Sequence, residues 1–242
     1  YGAENTYNLS LGYKASENVT LRFTQGTAFR APTFGNLYTP EGDWTRPNPD
    51  LQPEEGINKE LGALIQFDSG SVDIAIFDNN IDNMIASSFA DGKYTNVNID
   101  EARMKGTEVT AKFSLLTVQH QLNATYLQAK DKKTGEKLVR RPDKSINWTA
   151  TKQWDNFDLS VSMNYRSERP TIAWFASTLP SFTIWNLSGN YYISDNVKLF
   201  ARVDNLSDKR YASAAFDKDE AGTLYYYKTP ERQIFAGVSY QF

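Results

Sequence analysis

The chain has 242 residues, a formal net charge of -3 and no cysteine. That balance gives no electrostatic case for nucleic acid, and the lack of cysteine excludes disulfides and thiolate metal sites. No run approaches the ~18 consecutive apolar residues of a membrane-spanning helix, but a membrane barrel stays open because its lipid face uses only alternate residues.

Taken from the start, the first predicted strand covers roughly Thr6 to Ala15, with Tyr7, Leu9, Leu11 and Tyr13 on one face and Asn8, Ser10 and Gly12 on the other. A period of two is the mark of a strand with two different faces. After a tight Ser16-Glu17-Asn18 turn, Val19, Leu21 and Phe23 alternate with Thr20, Arg22 and Thr24. About Phe29 to Gly56 follows, broken by Pro32, Pro40, Pro47, Pro49 and Pro53, and reads as neither helix nor ladder. Leu61, Ala63, Ile65 and Phe67 make a third strand; Val72, Ile74 and Ile76 make a fourth after the Asp68–Ser71 turn. Asn79 to Arg103, rich in Asn and Asp, reads as a second long loop.

The rhythm continues with Val109 to Leu115, then Leu122 to Tyr126, a charged loop from Lys130 to Arg141, and Ile146, Trp148 and Ala150. Phe157 to Tyr165 alternates next, followed by a loop from Ser167 to Pro180. Trp185 to Tyr191 and Val197 to Val203 form another pair, and a last loop, Asn205 to Pro230, precedes Ile234 to Phe242. This gives an all-β antiparallel meander of about eleven strands, with short turns and long loops strictly alternating, as in outer-membrane barrels. A two-sheet sandwich also alternates. Long strands, the loop asymmetry and aromatics at strand ends (Tyr7, Tyr13, Trp154, Tyr165, Tyr191, Tyr240) favour the barrel.

Candidate residues sit in the loops. Tyr38, Trp44, Trp174, Phe175, Tyr225, Tyr226 and Tyr227 offer large flat surfaces for a planar ligand, with Arg46, Arg140 and Arg141 as cations near the mouth. The basic loop Lys130 to Arg141 suits either an anionic chelate or lipopolysaccharide phosphates. His120, the sole histidine, is in phase with Leu122, Ala124 and Tyr126 and reads as interfacial rather than catalytic. Asp73, Asp78, Asp82, Asp91 and Asp100 lack the fixed spacing of a calcium loop and read as solvated loop acids. No enzyme activity, cofactor or metal site is expected.

Several stretches resemble the C-terminal half of TonB-dependent outer-membrane receptors. They are Gly26–Pro32 followed by Asn36-Leu37-Tyr38, the Asn48–Glu54 "NPxLxPE" element, Ala102–Glu108, and the Asn205–Tyr211 "NLxDKxY" element. The terminal Phe242 is similar to the aromatic end read by the barrel assembly machinery. Within the family, Leu138–Pro142 looks most like cobalamin (vitamin B12) receptors, whereas Asn58-Lys59-Glu60 and Lys133–Glu136 look more like catecholate-siderophore and colicin receptors.

The resemblance implies a portion of a 22-stranded barrel, residues 1–242, without the plug domain and the N-terminal strands, cut in an extracellular loop. It implies uptake of a scarce metal chelate across the outer membrane, cobalamin first and a ferric catecholate siderophore second. The implied partners are outer-membrane lipid and lipopolysaccharide, the missing barrel half and plug, TonB acting through the plug, and the assembly machinery. From another class, a surface β-sandwich that binds carbohydrate is the rival.

Overall fold

The computed structural model describes residues 2–171, 177–219 and 222–242. Its centre is one eleven-stranded antiparallel sheet. The strands are β1 (Asn8–Lys14), β2 (Val19–Arg30), β3 (Glu54–Phe67), β4 (Gly70–Ala90), β5 (Lys93–Leu115), β6 (Val118–Asp131), β7 (Lys144–Gln153), β8 (Phe157–Arg166), β11 (Phe182–Ser194), β12 (Val197–Asp204) and β15 (Gln233–Tyr240). Each pairs with its neighbour in chain order, so the sheet is a meander, and β1 and β15 lie at its two ends. Two small hairpins stand apart from it: β9 (Arg169–Pro170) with β10 (Thr178–Leu179), and β13 (Ala212–Lys218) with β14 (Leu224–Lys228).

The register sorts side chains into two unlike faces. On one, Leu61 meets Phe23 and Ile76, Ile74 meets Ala63 and Val109, and Trp148 meets Leu122 and Met163. At the far end of the sheet Ala236 meets Ala201 and Val238 meets Leu199 on that same face. This apolar face is left open: Leu61 and Ile76 are each 59% exposed, where a sandwich would bury them. From Thr107 to Leu115 it measures about 26 Å of strand at ~3.3 Å per residue. At the ~35–45° strand tilt usual in membrane barrels, that is about 20 Å along a barrel axis, near the ~25 Å apolar band of such barrels.

The opposite face is polar and internally bonded. Arg22 donates from Nε to Glu60 on β3 (3.0 Å) and from a terminal nitrogen to Asp73 on β4 (2.8 Å), tying three strands together. Gly62 lies opposite Arg22, and a Cβ there would come within 2.6 Å of the Arg22 Nε, so glycine leaves room for the guanidinium to lie across the sheet. Further along, Thr110 pairs with Asn123, Asn186 with Ser162, and Asn190 with Asp158. Arg202 lies over the Phe235 ring at 4.5 Å and bonds Asp204.

Short turns line one end of the sheet and long connections the other. The β5–β6 turn consists of Leu116 and Thr117, both with positive φ (49° and 63°). Such a two-residue turn favours Asn-Gly, and a β-branched residue there is strained by ~1–2 kcal/mol. Replacing Leu116-Thr117 by Asn-Gly is therefore expected to raise the thermal midpoint of the intact receptor by a few degrees, read by loss of heat-modifiable migration, with ligand binding unchanged. An unchanged or lower midpoint would show that the turn is not strained.

Four loop assignments need correction. Asn79 to Arg103 is not a loop: β4 and β5 pair without a break in register from Gly70↔Phe113 to Ala90↔Lys93. Asp91-Gly92 closes this hairpin with φ of 53° and 75°, the left-handed pair a type I′ turn needs. The Asn and Asp content pointed to a loop because those side chains compete with the backbone, but here they serve neighbouring segments. The stretch after Phe29 stays in β2 to Arg30 and holds one helical turn, α1 (Phe34–Leu37), capped by Thr33 through a reciprocal bond with Asn36. The Ser167–Pro180 and Asn205–Pro230 loops carry the two small hairpins. Asp73 and Asp78 are ion-paired strand residues rather than solvated loop acids, with Asp78 held by Arg103 on β5.

Candidate functional site

The bank of long connections encloses a cleft of about 1400 Å³ at the end of the sheet away from the short turns. One wall is the far part of the β4–β5 hairpin, Met84 to Phe89 and Tyr94 to Val97; the others are Leu138 to Arg141 and the β9–β10 hairpin with Pro170, Thr171 and Thr178. The Phe89 and Tyr94 rings meet across the hairpin in a tilted contact, centroids 4.7 Å apart.

The loop after β6 is built to place its arginines. Asp131 accepts from the Lys133 and Thr134 amides (2.8 and 3.0 Å), and Gly135 takes a positive φ of 74°, so the chain reverses at once. Leu138 then tucks into an apolar cluster with Ala102 and Ala129, its amide donating to the Ala129 carbonyl (3.0 Å). With Leu138 anchored, Arg140 adopts a positive φ of 60° and donates its amide to the Pro170 carbonyl (2.7 Å). Arg140 and Arg141 thus line the cleft between the β6 loop and β9.

Two more arginines stand near them that sequence reading missed. Arg166, on the polar face at the end of β8, bonds Asn147 and its neighbouring carbonyl. Arg169 is buried, donates to the Ala212 and Ser213 carbonyls (2.9 and 3.1 Å), and lies over the Phe182 ring. Burial, with the charge of Arg166, pushes the Arg169 guanidinium below its ordinary value. Its bonds staple β9 to β13, and Thr171 adds a second tie by accepting from the Ala215 amide (3.0 Å). Nothing in composition marks Arg169; its partners lie more than forty residues away.

The loop that carries the "NPxLxPE" element is strapped to the hairpin by side-chain amides. Asn98 on β5 exchanges bonds with the Gln52 backbone in both directions (2.8 and 3.0 Å) and donates to the Asn83 carbonyl. Asn96 donates to the Asn36 carbonyl, and Asn48 donates back to the Asn96 carbonyl. Leu51 is 1% exposed beneath this strap. Glu54 accepts from Arg30 (2.5 Å) and from the Ile85 amide (2.7 Å), closing its lower end. Asn98→Ala removes three of these bonds and leaves Gln52 without its partners. It is expected to loosen residues 31–53, read as about five- to a hundredfold faster amide exchange for ~1–3 kcal/mol lost. Unchanged exchange there would show that the strap is ornamental.

The sequence candidates divide accordingly. Arg140 and Arg141 reach the cleft. Tyr38 stacks on Phe34 (4.8 Å), beside the cleft-lining Thr39. Trp44 and Arg46 dock by backbone bonds on Tyr94 and are not among the residues that line the cleft; Arg46 faces Asp91 at 3.8 Å. Tyr225, Tyr226 and Tyr227 lie on β14, outside the cleft lining. Trp174 and Phe175 lie outside the described residues. His120 is stacked between Phe113 (4.9 Å) and Trp148 (5.9 Å) on the apolar face, near the short-turn end and outside the lining of this cleft. Phe242 follows β15 fully exposed, edge-on to Tyr240 at 5.0 Å.

An open apolar face, a bonded polar face and a bank of folded loops over one end define the wall of a β-barrel. The chain belongs to the family described as TonB dependent receptor-like, beta-barrel, which matches residues 1–206. It is 32% identical over 246 residues to the vitamin B12 transporter BtuB of Vibrio vulnificus strain CMCP6, covering 100% of this chain and 37% of that protein. Among solved structures it is similar to the copper transporter OprC, with a TM-score of 0.83, 21% identity, and 97% of this chain against 39% of that one. It is also similar to a mutant of the ferric enterobactin receptor PfeA from Pseudomonas aeruginosa in complex with enterobactin, with a TM-score of 0.80 and 24% identity. That match covers 98% of this chain and 40% of the other. The chain thus spans well under half the length of the relatives it matches.

Proposed function

We propose that this chain forms part of the wall and the capturing loops of an outer-membrane receptor that takes up a metal chelate, with cobalamin the first choice. The observation that carries the reading is the similarity, over the whole of this chain, to 37% of a vitamin B12 transporter, joined to a cleft large enough for a bulky planar ligand. In this reading the apolar face meets lipid. The polar face holds a plug domain supplied elsewhere in the protein, and TonB acts through that plug. The end strands β1 and β15 pair with the rest of a 22-stranded barrel, and Phe242 serves assembly. The chain binds and conducts; its residues carry no catalytic step and hold no cofactor.

A ferric catecholate is the second reading. Arg140, Arg141 and Lys137 line the cleft against Asp131 and Glu136, a net cationic lining that suits an anionic chelate. Titration of the full-length receptor with cobalamin and with ferric catecholates separates the two. Saturable cobalamin binding is expected, and tight catecholate binding without cobalamin binding would overturn the first choice.

A further inference from the structure

The two small hairpins meet at a dry junction. Arg169 and Leu179 are partners in the β9–β10 register, and the Thr171 amide donates to the Ser177 carbonyl (3.1 Å), so Thr171 and Ser177 stand opposite each other as the next pair. Alternation puts Arg169, Thr171, Ser177 and Leu179 on one face of this hairpin. That face meets β13: Leu179 packs with Ala212 and Ala215, and Thr171 accepts from the Ala215 amide. Leu179, Thr171 and Ala215 are all but sealed from water.

Two polar atoms in this junction are left over. Arg169 is 6% exposed and uses one terminal nitrogen, Nη2, on the Ala212 and Ser213 carbonyls. Its other terminal nitrogen, Nη1, is buried with no hydrogen-bond partner, and so is the Ser177 hydroxyl. Among the described residues the charge that acts on Arg169 is that of Arg166, a second cation. A buried cation is ordinarily paired, because stripping it of water without a counter-charge costs far more than burying a neutral group. Stapling β9 to β13 does not require that charge, since a neutral side-chain amide also carries two N–H donors for the two carbonyls.

We propose that Arg169 Nη1 and the Ser177 hydroxyl form a binding site for an oxyanion, a carboxylate or phosphate group, at the junction of the β9–β10 hairpin with β13. Nη1 brings two N–H donors and the serine a third, a set that suits an oxygen-rich anion and repels a cation. The dry surroundings strengthen each of those bonds. Entry is from the cleft, because Thr171 and Ser177 also belong to its lining. Arg140 and Arg141 lie on the same lining and draw anions toward it. The oxyanion has two sources, a free anion or a group carried by a chelate in the cleft. The site itself does not depend on which chelate is taken up.

The test uses the full-length receptor in detergent, with inorganic phosphate as the probe. Phosphate replaces chloride at constant ionic strength, and the thermal midpoint is read by heat-modifiable migration. The native receptor is expected to show a rise that saturates. Ser177→Ala keeps the Arg169 bonds to β13 and is expected to need roughly three- to tenfold more phosphate for half of that rise. Arg169→Gln is expected to lose the saturable rise, and Ser177→Ala decides the matter if Arg169→Gln assembles poorly. The same rise at the same phosphate concentration in native and Ser177→Ala receptors would be the general stabilising effect of phosphate and would overturn the site. No rise in the native receptor would overturn it too. Cyanocobalamin, which carries a phosphodiester, then separates the sources. If its own group fills the site, phosphate raises its apparent Kd severalfold in the native receptor and not in Arg169→Gln. If a free anion fills it, phosphate leaves that Kd unchanged. Each of these two results keeps the site and assigns its source. A receptor that does not bind cyanocobalamin overturns the cobalamin reading alone, since the phosphate titration needs no chelate.

Discussion

A receptor carrying Gly106→Ala is expected to accumulate at about a tenth of the normal folded amount or less, scored by heat-modifiable migration. Gly106 lies on the polar face of β5 with the Phe77 ring over it, and a Cβ would come within 2.8 Å of that ring. The same Cβ would also collide with the Tyr126 main-chain carbonyl on β6, which cannot move without breaking the ladder. Overpacking costs ~1–3 kcal/mol where a side chain gives way and more where backbone must shift, enough to lower the folded fraction by about tenfold or beyond. Phe77→Ala in the same background would relieve only the ring contact, so little rescue is expected. Full rescue would mean that the ring, not the backbone, sets the requirement.

The second large effect is expected at the cleft. Arg140→Ala with Arg141→Ala should weaken chelate binding by about ten- to a hundredfold, at ~1.5–3 kcal/mol for a hydrogen bond to a charged group. The loss should shrink as salt rises, because the cleft is open to solvent and its charges are screened. Folding should not suffer, since Leu138 anchors the loop and the Arg140 tie to Pro170 runs through its backbone amide, which Ala keeps. The positive φ of Arg140 adds a modest strain to Ala there. Lys132→Ala with Lys133→Ala, on the outer side of the same loop, serves as the charge control. Equal weakening by that control would show that net charge, not these two arginines, holds the ligand.

The strands were legible because two-residue periodicity survives any tertiary context that keeps the two faces different. Trp148, Met163 and Trp185 are in phase in the chain and side by side in the sheet. The ends of β4 and β5 were not legible, because from Asp78 on that face carries polar residues such as Asn80 and Asp82 and the alternation loses its contrast. The signal that remained was Asp91-Gly92, a two-residue hairpin turn whose meaning depends on reading its Asn-rich flanks as strand. Of the site, Arg140 and Arg141 could be found from charge near a predicted mouth. Arg169 and Asn98 could not, since their roles consist of bonds to backbone atoms of loops distant in the chain. Among the loop aromatics, Tyr225 to Tyr227 lie on a separate hairpin and Trp44 is docked through its backbone.

The uninterrupted β4–β5 ladder has a consequence for how capture is divided among the loops. A flexible loop must give up ~1–2 kcal/mol of backbone freedom per residue when a ligand orders it. Here the longest projection is ladder up to a two-residue tip, and residues 31–53 are bonded to it, so that loss has already been met during folding. A ligand entering the cleft finds one wall preorganised, and its binding energy there goes into contact rather than ordering. Any signal that binding has occurred must then arise at the other walls, in the segment after β6 and the two small hairpins. Disulfide pinning of those segments, one at a time, would find which of them carries it.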